Sequence, residues 1–395
     1  MAADINRAPS AGRTLILASV AHALHDGFVD TLYVLLPVWQ AEFSFGYTAL
    51  AVLRGLYVGI LAILQVPSVH LSKRLNARTI LAAGTLLSAM GYALAGRSGG
   101  LVGLCFSLLL AGAGGSTQHP LASAAVSRAY GERARGPLGT YNFAGDLGKA
   151  ILPPVVSLLL TVMRWRSALW VASLLGLLVA ISVRFLMPPI PTPAAEVEAV
   201  QKAGEETKSQ IGLVLLFVIG VLDTATRMGF LLFLPFLMKT KGASLTTVGL
   251  ALSLVFIGGA FGKAACGWLG ERLGLLTTVF STEFGTAAAI LALLVLSLRP
   301  SLILLPVLGL MLNGTSSVLY GTVPELVASD RIERAFAIFY TGILGSSALA
   351  PVLYGRLGDA AGLVWAMIAA AITALAVVPL MLILSPRLTR PKEIA

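Results

Sequence analysis

Stretches of about 20 predominantly apolar residues, each long enough to cross a hydrocarbon core about 30 Å thick, recur along the whole of this sequence. They fall near 14–38, 47–70, 79–97, 101–127, 136–161, 167–187, 211–238, 246–269, 276–297, 301–326, 334–355 and 362–385. Only 12% of residues are charged and 57% are hydrophobic, whereas a soluble domain carries roughly a quarter charged residues. Most of the surface therefore faces lipid. In lipid the backbone must satisfy its own hydrogen bonds, so apolar spans of this length are α-helices. The expectation is an all-α polytopic membrane protein with twelve transmembrane helices.

The same composition excludes other classes. Cys105 and Cys266 lie far apart inside apolar stretches, and there is no CxxC, HExxH or metal-type cluster, so no metal and no disulfide framework is expected. No Walker A loop and no nucleophile–base pattern appears. Neither a cofactor nor an enzymatic activity is expected. The formal charge of +10 comes from basic residues scattered over short loops, a pattern of membrane topology and not of nucleic-acid binding.

Lys and Arg set the orientation. If both termini are cytoplasmic, that side gathers Arg7, Arg13, Lys73, Arg74, Arg78, Arg128, Arg133, Arg135, Arg184 and further basic residues of the second half. The opposite side holds Arg97, Arg164, Arg166, Lys239, Lys241, Arg299 and Arg356. The excess is more than twofold, so both termini are expected in the cytoplasm of a bacterial cell whose inner membrane the chain crosses. The polar segment before span one has no cleavage pattern, so that span is expected to remain as a helix. Residues 188–210 read as a cytoplasmic linker, rich in Pro, Glu and Lys, between a first bundle at 1–187 and a second at 211–395.

The two halves repeat. Pro37 and Pro235, Arg74-Leu75 and Arg272-Leu273, Thr117 and Thr315, and Pro153 and Pro351 are all separated by 198 residues. Paired six-helix halves are an architecture of transporters that move a substrate by rocking about a central site.

Between spans eight and nine stands Gly267-Trp-Leu-Gly-Glu-Arg-Leu-Gly274. It resembles the acidic–basic–glycine loop motif of the major facilitator superfamily. Its first-half counterpart, Leu71-Ser-Lys-Arg-Leu-Asn-Ala-Arg78, carries Lys73 where that family has an acidic residue and Asn76 where it has glycine. The resemblance implies a gating role for Lys73, Arg74, Arg78, Glu271 and Arg272, with the first-half ion pair altered. Three first-half stretches further resemble the fosmidomycin-resistance branch: His22-Ala-Leu-His-Asp26, Gly112-Ala-Gly-Gly-Ser-Thr-Gln-His-Pro120, and Gly139-Thr-Tyr-Asn-Phe-Ala-Gly-Asp-Leu-Gly148. The branch implies proton-coupled export of a small organic compound, an anion or drug, by a cavity between spans 1, 2, 4, 5, 7, 8, 10 and 11.

An ionised side chain at the bilayer centre costs about 2.5–3.5 kcal/mol, so each one inside a span needs a partner, water or a proton. Span one places His22, Asp26 and Asp30 on one stripe at i, i+4 and i+8, with His25 at its edge. These four are the candidates for proton coupling. Span five aligns Asn142, Asp146 and Lys149; Asp146 and Lys149 at i, i+3 suit either an ion pair or a substrate contact. Span seven carries Asp223 and Arg227 at i, i+4, with Asp223 at the repeat position of His25. Gln118 and His119, beside the helix-bending Pro120, with Asn313 and Tyr340, complete the substrate-binding candidates. Arg54, Lys263 and Glu283 are further polar positions; Glu283 lies on span nine, which the resemblance makes peripheral. Trp39, Trp165 and Trp170 read as interfacial anchors.

The expected protein is a monomer with the major facilitator fold, two pseudo-symmetric six-helix bundles that exchange protons for a small molecule. A symporter importing an organic anion and a lipid-handling flippase are the alternatives.

Overall fold

A computed structural model describes residues 7–189, 210–327 and 332–387. Its elements are α1 (Arg7–Phe43), α2 (Tyr47–Arg74), α3 (Ala77–Ala95), α4 (Leu101–Gly115), α5 (Gln118–Tyr130), α6 (Arg135–Val162), α7 (Trp165–Leu186), α8 (Gln210–Thr240), α9 (Leu245–Leu273), α10 (Leu275–Val295), α11 (Leu298–Leu326), α12 (Ile332–Ala361) and α13 (Leu363–Leu384). Eleven membrane-length apolar segments are found among the described residues, with α4 and α5 counted as one continuous span. The remaining helix, α1, is 37 residues long. It falls short in apolarity because it carries His22, His25, Asp26 and Asp30. Large apolar side chains such as Phe106, Phe185, Val295 and Ile303 point outward, as in a multi-pass membrane protein.

The chain forms two compact units, Met1–Ala194 with Met238–Ser253, and Ala195–Leu237 with Leu254–Ala395. In the first, α1 packs along α6, α3 along α4 and α7, and α2 along α4. The α1–α6 contact is close because Gly148 has no side chain: a methyl there would stand 1.9 Å from the Ala23 carbonyl oxygen. Tyr92 on α3 donates its hydroxyl to the Phe28 carbonyl of α1. In the second unit α10 packs against α11 and α13, and α12 against α13. Leu216, Ile219, Val279, Leu319, Val323, Phe339, Val377 and Met381 form its apolar core.

The span around His119 is interrupted before the proline and not at it. α4 stops at Gly115, and α5 restarts at Gln118 with Thr117 as its N-cap residue. Pro120 then occupies the first turn, where its missing N–H removes no helical bond. Two of the tryptophans read as interfacial anchors are instead interior: Trp39 and Trp165 are buried, with rings 6.1 Å apart, while Trp170 is exposed. Trp165 Nε1 donates to Glu42 at 2.7 Å, which holds the start of α7 to the end of α1. Most of the expected linker lies outside the described residues.

The two motif loops turn differently. Gly274 closes the second-half turn at φ +79, a conformation costly for side chains with a Cβ. Asn76, at its repeat position, keeps φ −58 and accepts a hydrogen bond from the Arg78 backbone N–H at 2.9 Å, capping α3. The loss of glycine in that motif is thereby compensated. Arg78 also donates to the Met187 carbonyl at 2.9 Å, and Arg272 stacks over Trp268 at 4.4 Å. Arg74 is exposed; the side chains of Lys73 and Glu271 lie outside the described residues.

Candidate functional site

The first unit gathers its intramembrane charges around Asp26. The helical spacing of α1 puts His22 one turn before it, with Nε2 3.4 Å from Asp26 Oδ2. From α6, Lys149 Nζ reaches the same oxygen at 3.1 Å. From α5, His119 Nε2 stands 3.7 Å from Oδ1. Gly145 makes room for this approach, since a methyl there would meet His22 Nε2 at 2.7 Å and Asp26 Oδ2 at 2.8 Å. The glycines of the α6 motif thus set the distance between the lysine and the aspartate.

The protonation of His22 follows from its partners. Its Nδ1 lies 3.0 Å from the Tyr141 carbonyl oxygen, which only accepts, so Nδ1 carries the hydrogen. Nε2 faces a carboxylate, which when ionised also only accepts. The ring also stacks on Tyr141 with centroids 4.1 Å apart. His22 is therefore held between Tyr141 and Asp26.

Asp146 is the weaker partner of Lys149, at 4.0 Å. The i, i+3 pair anticipated within α6 is secondary to the bond that crosses to α1. Asp30, one turn further along α1, lies 3.9 Å from Arg54 of α2, whose guanidinium covers the Tyr33 ring at 4.6 Å. Asp30 therefore has Arg54 as a buried ion-pair partner. His25 is buried with neither ring nitrogen hydrogen-bonded among the described residues, 5.6 Å from the His119 ring. Gln118 is also buried, and its Nε2 donates to Thr85 at 2.8 Å. Asn142 is exposed one turn before Asp146.

His22, Asp26 and His119 offer ligand atoms within 4.8 Å of one another, a spacing compatible with a metal ion. The Lys149 ammonium on Asp26 competes directly with such an ion. A carboxylate shared by an ammonium and two imidazoles is better suited to exchanging protons and to holding a second anion.

The second unit has its own buried polar group. Asp223 of α8 and Glu283 of α10 are 4% and 2% exposed. Next to Glu283 in sequence, Thr282 Oγ1 lies 2.7 Å from the Thr315 hydroxyl of α11. Arg227 donates to Asn313 Oδ1 at 3.4 Å, and Asn313 Nδ2 donates to the Gly309 carbonyl at 3.0 Å. Tyr340 is 42% exposed, its ring 6.1 Å from that of Tyr320. Glu283 is thus interior in this unit, contrary to its peripheral reading. The signal was present: Glu283 and Thr315 stand 198 residues beyond Thr85 and Thr117, as Asp223 does beyond His25.

Comparison with known proteins agrees with this architecture. The sequence profile of the Major Facilitator Superfamily matches residues 18–215 and again 216–395. Monocarboxylate transporter 13 of Rattus norvegicus is 24% identical over 280 residues, which are 66% of this chain and 62% of that protein. The match thus spans less than two thirds of the relative's length. Among solved structures, a bacterial homolog of the human lysosomal transporter Spinster, inward-facing and occupied, superposes with a TM-score of 0.82. It is 14% identical and covers 97% of this chain and 99% of its own. The nucleoside transporter NupG gives 0.79 at 13% identity, over 95% and 99% of the two chains.

Proposed function

We propose that this chain, which belongs to the major facilitator superfamily and is a secondary transporter, moves a small organic anion together with a proton. The observation that carries this reading is the Lys149–Asp26 contact at 3.1 Å, with the imidazoles of His22 and His119 on the same carboxylate. While Asp26 is ionised it occupies the Lys149 ammonium. A proton on Asp26 neutralises the carboxylate and leaves Lys149 with its positive charge less balanced. A substrate carboxylate then binds more tightly, and by linkage the bound anion raises the affinity for the proton by the same factor. Proton and anion therefore travel together.

Antiport, the coupling expected from the branch resemblance, requires substrate and proton to compete, which suits a cation at Asp26. The Lys149 ammonium on Asp26 favours the cotransport alternative. The net direction is set by the gradients, so export of an acid from the cell follows the same scheme. The name of the rat relative supports a carboxylate as cargo. The proposal retains alternating access between the two six-helix bundles and cytoplasmic termini, the latter on the distribution of Lys and Arg.

Proteoliposomes offered a panel of short monocarboxylates under an inward proton gradient test this reading. Accumulation by the wild type and its loss in Lys149→Ala are expected. Undiminished accumulation by Lys149→Ala would remove the basis of the proposal.

A further inference from the structure

Two prolines stand side by side inside α6, Pro153 and Pro154. A proline has no N–H, so the carbonyl four residues before it loses its helical partner. The two carbonyls concerned are those of Lys149 and Ala150, in the turn that carries the ammonium to Asp26. In that turn α6 lacks two of its own backbone bonds. The freed Ala150 carbonyl is taken by α9 instead: Ser253 Oγ donates to it at 2.6 Å. α9 belongs to the first unit as far as Ser253, and Ser253 and Ala150 are both buried. One turn earlier on α9, Gly249 lies bare against the same stretch of α6. A methyl there would stand 2.1 Å from Ser157 Oγ and 2.8 Å from Pro154 Cα.

The internal repeat supplies a control. The positions 198 residues from Ala150, Pro154 and Ser253 hold Ala348, Val352 and Gly55. Val352 has the N–H that Pro154 lacks, and Gly55 has no hydroxyl. The proline that removes a donor and the serine that replaces it occur together in one place and are absent together at the other. Three successive residues of α6 are thereby fixed to three different partners. Gly148 abuts the Ala23 carbonyl of α1, Lys149 reaches Asp26, and Ala150 is held by α9.

We infer that Ser253 is a positioning residue for the Lys149–Asp26 contact. Its hydroxyl stands in for the backbone donor that Pro154 removes, and so fixes the turn of α6 from which the ammonium reaches Asp26. The inference rests on the role proposed for that contact, but its test reads Lys149 itself and needs no transport.

The test is the rate of reductive methylation of Lys149 in the purified full chain in lipid nanodiscs. Mass spectrometry of the peptides reads it, with Lys239 and Lys241 as internal references. Held against Asp26, the Lys149 amine is shielded from the reagent. Ser253→Ala is expected to raise the Lys149 rate about threefold, the equivalent of one interhelical hydrogen bond in a membrane protein, with the references unchanged. Pro154→Ala returns an N–H to the Ala150 carbonyl, so adding Ser253→Ala to it should leave the rate as in Pro154→Ala alone. A general loosening of the bundle would raise the rate on both backgrounds. That result, or an unchanged rate in Ser253→Ala, would overturn the inference. Should Ser253→Ala fail to fold, Ser253→Cys keeps nearly the same shape with a weak donor and must raise the rate likewise; an unmoved rate there would equally overturn it. The expected methylation response without monocarboxylate uptake by the wild type would uphold the role of Ser253 and count against the transport reading alone.

Discussion

The two units solve the problem of buried charge in opposite ways. Around Asp26 one carboxylate meets an ammonium and two imidazoles, with Asp146 as a distant counterweight. In the second unit two acids, Asp223 of α8 and Glu283 of α10, are buried, and Arg227, one turn beyond Asp223, donates to Asn313. The first group sets an ammonium and two imidazoles around one carboxylate; the second buries two acids on different helices. A duplicated fold therefore does not imply duplicated chemistry. The same contrast appears where helices touch. Gly148 lies bare against the Ala23 carbonyl, while at the repeat positions Ser346 donates to the Val221 carbonyl at 2.8 Å.

The largest effect is expected at the Asp26 group. Asp26→Asn should abolish proton-driven flux and leave Lys149 without its closest counter-charge. Breaking a fully buried pair costs about 3–5 kcal/mol; the 30% exposure of the Lys149 side chain places the loss below that range. Adding Lys149→Met to the same chain should recover part of the lost thermal stability without recovering flux. A double variant no more stable than Asp26→Asn would contradict the pairing.

Next comes the helix contact. Gly148→Ala forces α1 and α6 apart and should lower stability by about 1–3 kcal/mol, the usual cost of overpacking. Ser346→Ala, its second-half counterpart, removes one hydrogen bond and should cost about 0.6 kcal/mol, as such bonds do in membrane proteins. Thermal unfolding in detergent ranks the two, and equal losses would dissolve the contrast.

A smaller pair of effects lies in the loops. Gly242 has φ +84 and its repeat partner Ser44 has φ +57. Gly242→Ala should destabilise by about 1–2 kcal/mol through left-handed strain, whereas Ser44→Gly should change stability by less than about 1 kcal/mol because relieved strain offsets added chain entropy. The same unfolding assay decides, and opposite ranking would count against the equivalence.

The smallest effect is a pH dependence confined to the first unit. The hydrogen bond from the Arg166 guanidinium at 2.5 Å, and then that from the Trp165 indole, hold the Glu42 carboxyl below its ordinary value. A carboxyl depressed in the folded state contributes stability above its unfolded pKa of about 4.3, and that contribution is lost as pH falls through the folded value. Glu42→Gln should therefore flatten the acid side of the stability profile while changing little at neutral pH. An unchanged acid limb would show that the contact carries no weight.

Much of this was legible in the sequence because helical geometry is local. The stripe His22–Asp26–Asp30 follows from a spacing of four, and the twelve spans follow from the length of apolar windows. Contacts between helices were less accessible. Lys149 has Asp146 three residues away, which made the local pair the natural reading; only the glycine-mediated approach of α1 and α6 brings Asp26 closer. Read along span nine alone, Glu283 has no other charged residue beside it. The repeat of 198 residues linked it and Asp223 to first-half positions. Trp39 and Trp165 were misplaced for a similar reason: position near a span end does not reveal whether a ring faces lipid or the interior.

The central claim, that proton and anion move together, is tested most directly by recording internal pH and internal anion content of the same proteoliposomes after a short-chain carboxylate is added outside, with no pH gradient imposed. The account predicts interior acidification that tracks anion entry and vanishes in Asp26→Asn. Alkalinisation during anion entry, or anion entry with no proton movement, would contradict it.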